Sequence, residues 1–203
     1  SVFLEIFFKS LKIHKYTSPL IIIVSKKLLE HQMEKLGFIF KINIINKNFI
    51  EFSKLDNKKI NLIDVKYKFD KCFEKISSKS NDYINESFHI ALKILTKNKF
   101  SKLINGPISK KHFLNGKSLG ITEYLAKKTK KNHDVVMLIF NKKLSVSPIT
   151  THLALKDVSR YITKKIIYTH IKHINNFYKK RFNKKPRIAL TGLNPHCESN
   201  LIN

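Results

Sequence analysis

Pro19-Leu20-Ile21-Ile22-Ile23-Val24-Ser25 is the stretch on which the fold turns. It is short, apolar and rich in β-branched residues, and Pro19 and Ser25 bound it. That pattern predicts a strand buried on both faces. Residues 26–36 then switch to helical spacing and stop at Gly37, a natural C-cap. Working outward, residues 38–45 and 59–65 alternate like strands, with a polar, irregular stretch between them and a lysine-rich connector over 66–80. Upstream, residues 1–14 place Phe3, Leu4, Phe7 and Leu11 on one face of an amphipathic helix. Downstream, a long helix is expected over 81–98, with Ile84, Phe88, Ala91, Leu92 and Leu95 inward. A short strand over 102–104 should run into the Asn105-Gly106-Pro107 turn, followed by a helix over 122–130. Strands over 135–140 and 144–150 should form a hairpin at Asn141-Lys142-Lys143. A long helix over 162–182 turns Ile166, Ile167, Ile171, Ile174 and Phe177 inward, and a final strand covers 187–191. Strands alternating with helices predict an α/β protein with a largely parallel sheet.

The chain has 203 residues, with 40 Lys+Arg against 14 Asp+Glu, a formal charge of +26. Such a charge raises a nucleic-acid reading. Only Arg160, Arg181 and Arg187 are arginine, however, and the lysines are spread along the whole chain. Arginine's planar fork is the preferred tool for phosphates and base edges, so the skew points to compositional background instead. A hydrophobic fraction of 42% supplies a real core and excludes a disordered basic tail. No apolar run approaches the ~20 residues of a membrane-spanning helix. Two cysteines, Cys72 and Cys197, make neither a disulfide framework nor a cysteine-rich zinc site. A reducing, cytoplasmic setting fits. The opening at Ser1 and the close at Leu201-Ile202-Asn203 read as the edges of a fragment.

The five glycines, Gly37, Gly106, Gly116, Gly120 and Gly192, exclude both the dinucleotide fingerprint G-x-G-x-x-G and the phosphate loop G-x-x-x-x-G-K-[ST]. Four other stretches lie at expected strand ends or helix starts, where open α/β sheets gather ligands. In Asn105-Gly106-Pro107-Ile108-Ser109-Lys110 the glycine would let backbone approach a ligand and Lys110 could meet a phosphate; a plain turn with a solvated lysine has the same letters. In Gly120-Ile121-Thr122-Glu123, Thr122 stands where a helix begins, placed for an anion or for ordinary N-capping. Thr150-Thr151-His152 sets a histidine at the end of an apolar strand, as ligand, general base or structural residue. In Gly192-Leu193-Asn194-Pro195-His196-Cys197-Glu198 the Asn-Pro turn projects His196, which Asn194 or Glu198 could orient. Two histidines alone do not complete a metal site.

In this order and spacing, the four stretches resemble the bacterial 4-hydroxythreonine-4-phosphate dehydrogenase family of vitamin B6 (pyridoxine, pyridoxal 5′-phosphate) biosynthesis. That family carries a Gly-Pro-x-x-Lys turn, a Gly-His-Thr-Glu helix start, a Thr-Thr-His strand end and a Gly-Leu-Asn-Pro-His segment. The resemblance runs through essentially the whole chain. It implies a fold like that of isocitrate and isopropylmalate dehydrogenases, with two α/β/α domains, here residues 1–116 and 117–203, both incomplete. It implies NAD or NADP bound without the glycine fingerprint. A divalent metal (zinc, magnesium or cobalt) would be held by His152, His196 and a third histidine. In the family that third histidine lies later, in a His-Asp-Gln-Gly segment, and comes from the partner subunit of a homodimer with its active site at the interface. Thr122 and Lys110 would hold the substrate phosphate, and Asn194 would lie beside the metal or cofactor. The 203 residues by themselves are expected to be inactive. Two departures stand out. The family's substrate-binding histidine is Ile121 here, which keeps a related dehydrogenase of phosphorylated threonate or erythronate in play, and Cys197 follows the second ligand histidine.

Overall fold

The computed structural model describes residues 2–97, 102–115, 118, 120–129 and 135–194. They form two compact units, Ser1–Lys117 and Ser118–Asn203.

In the first unit the opening stretch is strand β1, Ile21–Val24, and helix α2, Lys26–Lys35, follows at once. The tight turn between them is stabilised by satisfying the first amides of α2, which have no partner within the helix. Ser25 accepts from the Leu28 amide at 3.3 Å. Asp64, the last residue of β3 (Ile60–Asp64), accepts from the Lys26 amide at 2.7 Å. At the other end Gly37 takes φ +67°. Phe38 donates to the Met33 carbonyl and Gly37 to the Glu34 carbonyl, the bond pair of a Schellman motif.

Strand β2, Ile42–Ile44, completes a three-stranded parallel sheet in the order β1-β3-β2. The register pairs Ile22 with Leu62 and Ile44 with Leu62. Central β3 is buried for four residues running, as a strand covered on both faces must be. Alternate residues divide between the faces. Ile22, Val24, Ile60 and Leu62 join Leu4 and Phe8 of helix α1 (Phe3–Ile13) and Leu29 and Met33 of α2. Ile63 and Val65 join Ile45 and Ile90, the last from helix α3 (Asn81–Lys97). Helices therefore cover both faces of the sheet.

The expected strand over 38–45 shortens to β2 because Phe38 and Phe40 leave the ladder. They stack on each other at 6.1 Å; Phe40 stacks on Phe8 at 6.0 Å, and Phe38 lies tilted against it at 5.3 Å. On α3 the buried residues are Phe88, Ile90 and Ala91, so the inward face is rotated toward Ile90. Tyr83 of α3 accepts the Ser25 amide proton at 3.2 Å, and burial pushes its pKa up to about 12.

Several strand expectations fail. Residues 102–104 have no ladder, and Ile104 is 80% exposed. Residues 187–191 are irregular as well, with Leu190 exposed. In the second unit 135–140 and 144–150 reduce to a single antiparallel bridge, Ile139 with Val146, closed by two backbone bonds of 2.8 and 3.0 Å. The hairpin turn is real, since Asn141 Oδ1 accepts the Lys143 amide at 2.9 Å. Alternation marks what a strand can be; a ladder also needs a neighbour, and the described residues supply none at these places. The second unit is mainly helical: α4 (Ile121–Lys128), α5 (Leu155–Tyr161), which the sequence reading did not anticipate, and α6 (Lys164–Phe182). The inward isoleucines of α6 are half-buried and Phe177 is exposed. Phe140, Tyr178 and Phe182 cluster, with Tyr178 donating to Ser145 Oγ at 2.9 Å.

Candidate functional site

Lys110 opens a single π-helical turn, Lys110–Leu114. Such turns are uncommon and recur at functional sites. Its own sequence builds it. Ser109 accepts from the His112 amide at 3.4 Å. Asn115 closes the turn in a left-handed conformation, φ 43°, and donates to the Lys110 carbonyl. Phe113 and Leu114 are buried, Phe113 stacking on Phe88 of α3, and Asn81 donates to the His112 carbonyl at 2.9 Å. The result is a rigid mount whose first residue, Lys110, is exposed. Gly106 also has a packing reason to be glycine. A Cβ there would lie 2.6 Å from the Phe3 ring, so the glycine makes room for α1.

The remaining described candidates lie in the second unit. Gly120, extended at φ −158°, is the N-cap of α4, so Thr122 sits two residues inside the helix and is not its cap. The Thr122 side chain is exposed at the first turn, beside amides that have no partner within the helix. His152 is also exposed, and it adopts φ +59°, a left-handed conformation that costs a non-glycine residue on the order of 1 kcal/mol. Its ring reaches the start of α4. A Cβ on Gly120 would meet His152 Nε2 at 3.7 Å. The fold thus brings His152 and the Thr122 turn together across thirty residues of sequence.

Glu123 joins them, and the sequence reading assigned it no role. The same Cβ on Gly120 would lie 2.7 Å from Glu123 Oε2, so the carboxylate folds back over the glycine. Thr151 Oγ1 donates to Glu123 Oε1 at 3.5 Å, a long bond. A signal existed: an acidic residue three positions after an N-cap is the spacing at which a side chain returns to its own helix start. Asn194 is exposed at the end of the described segment. His196, Cys197 and Glu198 lie outside the described residues. Among the described residues, no three His, Cys, Asp or Glu side chains converge as a metal cluster. No helix among them is long and apolar enough to cross a membrane.

A parallel sheet covered by helices on both faces, followed by a unit that presents an imidazole and a threonine at one helix start, defines a mixed α/β protein with polar side chains gathered at element ends. Comparison with known proteins makes this specific. The family described as pyridoxal phosphate biosynthetic protein PdxA matches residues 15–202, and the chain belongs to that family. A 4-hydroxythreonine-4-phosphate dehydrogenase of Sulfurihydrogenibium sp. is 34% identical over 97% of this chain and 60% of its own length. One from Neisseria meningitidis serogroup A is 32% identical over 61% of this chain and 39% of its own. Among solved structures, the Burkholderia phymatum enzyme of that name superposes with a TM-score of 0.76 at 25% identity, over 97% of this chain and 60% of that one. The Klebsiella pneumoniae enzyme shares the fold at a TM-score of 0.80, over 96% and 61%. The chain therefore spans about 60% of the length of the first of these relatives.

Proposed function

We propose that this chain belongs to an NAD- or NADP-dependent dehydrogenase that oxidises 4-phosphooxy-threonine and releases CO2 to give 3-amino-2-oxopropyl phosphate, within an isocitrate-dehydrogenase-like fold. The observation that carries this reading is the His152 ring held at the start of α4, beside Thr122, in a chain of the PdxA family. A nicotinamide cofactor, when bound, would supply the hydride acceptor for oxidation of the C3 alcohol. A divalent metal, when bound, would supply Lewis-acid polarisation and stabilisation of developing negative charge on oxygen.

The chain's own residues supply binding and orientation. His152 fits a metal ligand: its ring is exposed, and the local backbone aims it at a helix start. His196 is its partner on sequence grounds, Asn194 stands on the metal or cofactor side, and the set is completed by a histidine from the other subunit of a homodimer. Thr122 offers a hydroxyl and the first-turn amides of α4 to the substrate phosphate, and Lys110 offers an ammonium on its rigid turn. Ile121 cannot donate to an anion. That favours, as a second reading, a phosphorylated threonate or erythronate as substrate.

Cobalt titration of the protein and of His152→Ala and His196→Ala tests the site. Each variant is expected to bind the metal at least about tenfold more weakly, since each loses a ligand. Unchanged affinity in both refutes the assignment. Binding of 4-phosphooxy-threonine and of phosphorylated threonate, measured side by side by calorimetry, separates the two substrates.

A further inference from the structure

His152 poses a physical question that the metal reading does not answer. Its φ of +59° is a conformation a histidine leaves readily, yet its ring must hold one direction to be useful as a ligand. We infer that Glu123 is a positioning residue that clamps the Thr151-His152 turn to the start of α4 and so aims the His152 imidazole. The inference rests on the metal role proposed for His152.

Three observations converge on it. Glu123 Oε1 takes the Thr151 hydroxyl at 3.5 Å, and Thr151 is the residue bonded directly to His152. Glu123 Oε2 occupies the space that a side chain at position 120 would fill, 2.7 Å from where that Cβ would stand. His152 Nε2 borders the same space, at 3.7 Å. Carboxylate, glycine and imidazole therefore share one small volume, and the absence of a Cβ at Gly120 keeps it open. Glu123 is the third residue of α4, on a regular turn, whereas residues 151 and 152 are irregular. The helical element holds the irregular one. An acidic side chain in the first turn of a helix is also favoured by the helix dipole, so Glu123 stands there without loss of helix stability.

The competing role is purely local, a charge that favours the α4 start. Thr151→Val separates the two, because it cuts the clamp from the other side and leaves α4 untouched. Cobalt affinity, the cobalt absorption band and the His152 ring nitrogens in long-range 1H–15N spectra are the readouts, with circular dichroism to check the fold. Glu123→Ala and Thr151→Val are each expected to weaken cobalt binding about tenfold, and the double variant no further than either one. Glu123→Gln keeps an acceptor for the Thr151 hydroxyl and is expected to bind within about threefold of the parent, at the low end of such orienting effects. The His152 resonances should shift in Thr151→Val. Parental cobalt affinity in Thr151→Val, or losses that multiply in the double variant, overturn the clamp. If His152→Ala itself binds cobalt like the parent, the metal reading falls and the clamp falls with it. If only His152→Ala weakens binding, the clamp alone is wrong.

Discussion

Asn61 is the polar residue at the centre of the sheet, 1% exposed, and replacing it by alanine tests how the first unit is held together. Its Oδ1 accepts from Asn43 Nδ2 and from the Asp56 amide, each at 2.9 Å. Its Nδ2 donates to the Leu20 carbonyl at 3.1 Å and the Asp56 carbonyl at 3.0 Å. One side chain thus ties the chain entering β1, the neighbouring strand β2 and the turn before β3. Four bonds at about 1 kcal/mol net each set an upper figure near 4 kcal/mol. Asn43 keeps its second bond, to the Lys54 carbonyl, and part of the Asp56 turn can reach water, so about 3 kcal/mol is expected for Asn61→Ala. In urea, with a slope near 2 kcal/mol/M, the midpoint should fall by about 1.5 M at unchanged slope. Asn61→Asp should be at least as damaging, because it keeps the acceptor but sets a charge against two carbonyl oxygens. Unfolding followed by far-UV circular dichroism measures both. A loss under about 0.5 kcal/mol in Asn61→Ala would show that water replaces these bonds freely and refute the account.

Other perturbations probe the rest of the chain. Gly106→Ala drives a methyl to within 2.6–2.9 Å of Phe3 and should destabilise the first unit by about 1–3 kcal/mol, with Phe3→Ala in the same chain relieving the clash; additive losses in a thermal melt would count against it. Ile121→His adds an anion donor at the first residue of α4 and should tighten the binding of inorganic phosphate about tenfold; an unchanged Kd would mean that an anion is not held at this helix start. Burial, and after it the charge of His173, hold the His170 pKa below the usual imidazole value. The unfolded chain then protonates first as pH falls. Stability is complete above about pH 6.5, declines below it and levels off once the folded histidine titrates. Melting temperatures at pH 7.5 and 5.5 should differ less in His170→Gln than in the parent, and an equal difference would exclude His170 as the cause.

The first unit was largely legible from its letters because its signals are local. Residues 20–24 are apolar on every side chain between a proline and a serine, and Ile21–Val24 of them form β1. Gly37 ends α2 because only a glycine takes that left-handed turn without strain. The periodicity over 81–98 and over 162–182 gave helices close to the observed Asn81–Lys97 and Lys164–Phe182. Residues 187–191 and 102–104 misled because an alternating run states only what a strand would bury, and burial needs a neighbouring strand. The rotation of α3 toward Ile90 likewise depends on what the helix packs against. In the site, Thr122 and His152 were legible as residue types at element ends, each also compatible with a plain structural role. Their meeting was implied only by the family resemblance and not by their own spacing, because it depends on how 150–152 returns to the start of α4. Glu123 passed unremarked for the same reason: its carboxylate acquires a purpose only once Gly120, Thr151 and His152 surround it. Element identity and family motifs are properties of short windows and survive in one dimension. Contacts between residues thirty positions apart, and the strained backbone that aims an imidazole, exist only after the chain has closed on itself.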